Sequence, residues 1–96
     1  MKEVVFEENS SLKRVGEDAF NNCSDLKNIS LPEGLESLGK GCFAYSGLEE
    51  IIIPSSVTAI EHGAFSNCGG LKKVTFHEDS RLQRIGSLCF CDCGLE

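Results

Sequence analysis

Phe20, Phe43, Phe65 and Phe90 follow one another at intervals of 23, 22 and 25 residues. A second series, Met1, Leu26, Leu48, Leu71 and Leu95, keeps the same step at 25, 22, 23 and 24 residues. Further apolar columns run in register: Val4, Ile29, Ile51, Val74; Phe6, Leu31, Ile53, Phe76; Leu12, Leu35, Val57, Leu82; and Val15, Leu38, Ile60, Ile85. A period of this length, carried by apolar positions, means a chain wound into stacked coils. Each unit buries its apolar side only against its neighbours, so the units must pile up to make a core.

One unit reads L-x-x-I-x-I, a short turn, V-x-x-I, a polar triplet, a small residue before Phe, then Cys or Ser before the next Leu. "LKNISL" and "LEEIII" alternate apolar and polar residues, the period-two mark of a strand with one buried face. "VTAIEHGAF" and "LQRIGSLCF" space their apolar residues more widely, as a second short extended or turn segment would. Length varies after the first strand, where "PEG" and "PSS" give way to "EENSS" and "HEDSR", and again just before the next Leu. Insertions confined to turns leave an inward ladder in register. Pro32 and Pro54 close their strands, where a missing N–H costs no ladder bond. The expected fold is a mainly β solenoid with one parallel sheet face, second short strand or turn segments, and no long helix. It is a single domain of four units, 1–25, 26–47, 48–70 and 71–94, plus the first two residues of a fifth. The expectation is a segment of a longer array, because neither Met1 nor Leu95-Glu96 carries a polar cap.

Composition excludes several function classes. With 41% hydrophobic and 25% charged residues the chain is too apolar to stay unfolded. A net charge of −6 and no basic stripe argue against holding nucleic acid. Ile51-Ile52-Ile53 is the longest aliphatic run, far short of the roughly 20 residues that span a bilayer, and the N-terminal stretch lacks the apolar core of a signal peptide.

Six cysteines in so short a chain suggest a disulfide scaffold until their columns are read. Cys23, Cys68 and Cys93 fill one column, with Ser46 in the second unit; Cys42 and Cys89 fill the small column before Phe. Coils stacked about 4.8 Å apart put Cys23 and Cys68 roughly 10 Å apart, beyond disulfide reach. The expectation is free, mostly buried thiols acting as small apolar fillers, with Cys68 and Cys93 the only column pair near enough to oxidise. "CFCDC" lacks the C-x-x-C spacing of a zinc knuckle, and Cys91, which belongs to no column, is expected to be the exposed thiol. His62 and His77 fall in different segments, and no G-x-S-x-G, H-E-x-x-H or phosphate-binding glycine loop is present. No catalytic residue, metal or cofactor is assigned. Asn9-Ser10-Ser11, Asn22-Cys23-Ser24 and Asn28-Ile29-Ser30 match the glycosylation pattern, which matters only in a eukaryotic secretory pathway.

The L-x-x-I-x-L unit resembles leucine-rich repeats. It departs from their common form where Gly34 and Ser56 stand at the usual Asn or Cys position, and with "IIIPSSVTAIEHGAFSNCGGLKKV" it resembles the BspA-like subgroup of bacterial and protist surface proteins. That resemblance implies a solenoid from a cell-surface or secreted parent engaged in adhesion, with a protein as partner. It implies no catalysis.

If Val4 and Phe6 point inward, the residues between them form an outward grid: Glu3, Asn28, Glu50, Lys73 in one column and Val5, Ser30, Ile52, Thr75 in the next. Ile52 beside Val5 and Thr75, rimmed by Glu3, Glu50 and Lys73, forms a small contact patch on such a face. The alternative is that isolated exposed aliphatics simply suit strands. A structural, self-assembling segment associating through its uncapped ends is the competing class.

Overall fold

The computed structural model describes residues 3–5 and 12–95, the first three by backbone register. Met1, Phe6, the Glu7-Glu8 turn, the Asn9 sequon and Glu96 lie outside the described residues. The chain forms eight short strands: β1 (Glu3–Val5), β2 (Arg14–Val15), β3 (Asn28–Ser30), β4 (Ser37–Leu38), β5 (Glu50–Ile53), β6 (Ala59–Ile60), β7 (Lys73–Phe76) and β8 (Arg84–Ile85). All pairings are parallel, and no helix occurs among the described residues. Each coil contributes one strand to the L-x-x-I-x-I wall and one to the V-x-x-I wall, as the two spacings require.

The two walls differ in continuity. β2, β4, β6 and β8 form one uninterrupted sheet, whereas the longer strands pair only as β1 with β3 and β5 with β7. A one-residue deletion marks the break: Phe20 to Leu26 and Phe65 to Leu71 span six residues, but Phe43 to Leu48 spans five. The shortened corner immediately precedes β5. There Gly47 lies so close to the first coil that an added Cβ would sit on the Ser24 carbonyl oxygen.

A third wall runs through the Phe corner and is held by backbone bonds that all point one way. The amides of Asp18, Phe20 and Asn22 donate to the carbonyls of Lys40, Cys42 and Ala44 in the next coil; Gly41, Phe43 and Tyr45 donate to His62, Ala64 and Ser66; and Gly63, Phe65 and Asn67 donate to Ser87, Cys89 and Cys91. Two residues of each corner, four apart, adopt left-handed backbone. The residue two before each Phe is Asp18, Gly41, Gly63 or Leu88, with φ of 56°, 59°, 66° and 60°, and the residue two after is Asn22, Tyr45, Asn67 or Asp92, with φ of 64°, 59°, 60° and 58°. Gly and Asn tolerate this conformation; Tyr45 and Leu88 hold it at a cost.

The core follows the columns. Leu26, Leu48 and Leu71, with Leu35, Leu38, Phe43, Ile53, Val57, Ile60 and Phe65, have no exposed surface. The phenylalanines form a continuous stack, with centroids 5.3 Å apart between Phe20 and Phe43, and 5.4 Å from Phe43 to Phe65 and from Phe65 to Phe90. The last coil departs from the expected pattern. Phe76, Ile85 and Leu95 sit in inward columns but are 39%, 47% and 42% exposed, because no coil covers them among the described residues. Val74 is only partly buried for the same reason.

Candidate binding face

Outward parity on the strand wall holds where side chains are described: Asn28, Ser30, Glu50, Ile52, Lys73 and Thr75 are all exposed, while Ile29, Ile51 and Ile53 between them are buried. Ile52 is the most exposed large apolar residue of the described chain, at 62%. The grid is not continuous. Glu3 and Val5 pair in register with Asn28 and Ser30 on one ladder; Glu50 and Ile52 pair with Lys73 and Thr75 on the other. Ile52 therefore neighbours Thr75 as expected, but Val5 neighbours Ser30, and Val5 is two coils away from Ile52.

Between the two ladders lies a cleft of about 330 Å3, lined by Asn28 to Leu31 and Glu50 to Ile52, with Glu33 and Pro54 at one end. Its outline is set by three hydrogen bonds. At the strand starts the Glu49 amide donates to the Lys27 carbonyl at 3.1 Å. Beyond the strands Ser55 Oγ donates to Glu33 Oε1 at 3.1 Å and the Gly34 amide donates to Ser56 Oγ at 2.9 Å. The ladder opens in between. Counting columns from the sequence does not reveal this cleft, since β3 and β5 align without insertion; the Phe43 to Leu48 deletion was the available signal.

The six cysteines are all unpaired. They do more than fill space. Cys68 Sγ donates to the Phe43 carbonyl at 3.0 Å and Cys93 Sγ to the Phe65 carbonyl at 3.0 Å, each thiol reaching down one coil. With the Cys68 proton so directed, the Ser46 hydroxyl 3.3 Å away is the donor to Cys68 Sγ. Cys89 Sγ likewise donates to the Glu61 carbonyl at 3.0 Å. Burial pushes the Cys42 thiol up to about 12, and burial raises Cys89 and Cys93 as well. Cys91 is half-buried rather than exposed, and its thiol is raised chiefly by the neighbouring Asp92 carboxylate. A raised thiol is a poor nucleophile at neutral pH.

His62 Nδ1 is 2.8 Å from Ser87 Oγ in the adjacent coil, on the surface. His77 is exposed beyond the end of β7, away from Cys91 on the Phe corner. Among the described residues no three His, Cys, Asp or Glu side chains converge as metal ligands. Arg84 and Glu61 form an ion pair at 2.8 Å on the outer face of the four-stranded sheet, above a shallow hollow that Arg14, Glu36 and Thr58 also line.

The sequence matches the BspA type leucine rich repeat region over residues 1–96, in six copies. The chain belongs to the BspA-type leucine-rich repeat family. Its fold is similar to that of a leucine-rich repeat protein from Bacteroides ovatus, with TM-score 0.69, 26% identity, and coverage of 88% of this chain and 30% of that one. It also resembles in fold a leucine rich cell surface protein from Faecalibacterium prausnitzii, with TM-score 0.51, 19% identity, and coverage of 100% of this chain and 38% of that one. The repeat chain thus spans about a third of the length of these solved relatives. No curated protein matches it.

Proposed function

We propose that this chain is a non-catalytic protein-binding module, part of a cell-surface or secreted leucine-rich-repeat protein that serves adhesion. One observation carries the reading. Ile52 stands 62% exposed on the strand wall, next to Thr75 and flanked on one side by the charged Glu50 and Lys73 pair, beside an open cleft. An apolar centre with a polar rim, presented by strands that packing holds in place, is the make-up of a contact hot spot. The surface setting is supported by the description of the Faecalibacterium relative as a cell surface protein. Host or neighbouring-cell proteins are the partner class this reading expects. Replacing Ile52 by Lys tests it: partner binding is lost while the thermal melt stays unchanged, because the side chain leaves no cavity. Retained binding contradicts the reading.

A second reading, self-association without a foreign ligand, is favoured by the far end of the stack. Ile85, Leu88 and Phe76 are exposed there, and the amides of Leu88, Phe90 and Asp92, whose equivalents in every earlier coil donate upward, have no hydrogen-bond partner among the described residues. Sedimentation of the chain across concentrations, with and without Leu88→Lys, separates the two readings.

A further inference from the structure

The cleft in the strand wall has a chemistry of its own. Ile29 and Ile51 lie beneath it, buried at 7% and 2% exposure, and its accessible lining includes the outward side chains of Asn28, Ser30 and Ile52. Its rim carries two exposed carboxylates, Glu33 and Glu50. Glu50 faces Lys73 in register but makes no ion pair with it, the one ion pair among the described residues being Arg84 with Glu61, so the Glu50 carboxylate oxygens are open to another donor. Because β3 and β5 share no ladder, strand carbonyls and amides on the facing edges are left for water or a ligand to satisfy.

From this geometry we infer that the cleft receives an arginine side chain from an extended segment of the partner protein. The inference rests on the binding reading above and names the chemistry it selects. The arginine stem lies along the exposed Ile52 side chain, and the guanidinium donates to the Glu50 carboxylate and to strand carbonyls on the facing edges, while Glu33, held by Ser55 at the far end, adds its charge to the rim. Five fixed donors on a planar head fit a carboxylate together with carbonyl edges better than a point-like ammonium does. A cleft of about 330 Å3 admits such a side chain with its backbone left on the rim. The net charge of −6 steers a basic segment toward this surface and repels an acidic one.

The test uses the chain as it is and three blocked five-residue peptides: valine alternating with arginine, with citrulline, and with glutamate. Citrulline keeps the shape of arginine and removes its charge. Amide chemical-shift titration is expected to show changes at residues 28–31 and 50–52 for the arginine peptide, with affinity about threefold above the citrulline peptide, the size of one exposed rim ion pair. Glu33→Gln with Glu50→Gln removes that preference at an unchanged melt, since both side chains are exposed. Ser30→Trp, which covers the cleft without touching the carboxylates, abolishes arginine-peptide binding as well. Equal affinity for arginine and citrulline peptides overturns the inference, as does the absence of any shift. Shifts confined to Lys73 and Thr75 overturn the cleft but leave the strand-wall reading standing.

Discussion

Phe43 and Phe65 stack with centroids 5.4 Å apart and ring planes 7° from parallel, each ring completely buried. The spacing is close to one coil rise, so the rings lie offset, the favourable arrangement for aromatic pairs. Removing one of these rings deletes two stacking contacts and opens a cavity that neighbouring coils cannot close. Phe43→Ala is expected to cost about 3–5 kcal/mol, enough to unfold much of a domain this small. Phe90→Ala costs clearly less, because its ring stacks on one side only and is part-exposed. Urea denaturation of the two variants checks the order; an equal loss contradicts it.

Cys42 makes alkali a specific destabiliser. Its folded thiol value, about 12, lies above the ordinary 9.0 because of burial. The unfolded chain releases this proton first, so stability is complete below about pH 9 and drains away as pH rises toward 12. Cys89 and Cys93 shift in the same direction, which steepens the fall. Melts recorded from pH 7 to 11 should decline above pH 9, and Cys42→Ala should flatten that decline.

Asp92 governs the reactivity of Cys91. The carboxylate raises the thiol by its charge and by accepting its hydrogen at 3.6 Å. Asp92→Asn lowers the thiol toward its ordinary range, and alkylation of Cys91 at pH 8 should accelerate. Mass-spectrometric labelling rates decide this; an unchanged rate removes the carboxylate from the explanation.

Leu88 occupies a left-handed position, φ 60°, that Gly41 and Gly63 fill in the two preceding coils, and 58% of its surface is exposed. Leu88→Gly releases the strain and gives up little burial, for an expected gain of about 1 kcal/mol. The opposite change, Gly41→Leu, places a side chain against Asp18 and destabilises. Paired denaturation curves test both signs.

Most of the fold was legible because inward residues repeat. The columns through Phe43, Leu48 and Ile60 predict burial that the structure has, since every coil between two neighbours meets the same surroundings. The columns fail at Phe76 and Ile85, where a coil has a neighbour on one side only, and a column cannot encode that difference. The outward face of the strand wall was legible by parity at Ser30, Ile52 and Thr75. Its division was not, because β3 and β5 align without insertion and the strands themselves carry no mark of it; the corner before β5, Phe43 to Leu48, is one residue shorter than those of the coils on either side. The two left-handed columns were readable in part: Gly41 and Gly63 share one, Asn22 and Asn67 the other, and Leu88 and Tyr45 disguise them.

The central claim, that the strand wall and not the end of the stack meets the partner, is best tested by photocrosslinking. A photoreactive phenylalanine analogue is placed singly at positions 52, 75, 83 and 88, and the chain is irradiated with a host-cell surface-protein extract. The account predicts that one foreign protein is captured from positions 52 and 75, and that Glu50→Lys weakens its capture; position 83, on the opposite wall, stays silent. Adducts formed only at position 88, and only between copies of this chain, would contradict it.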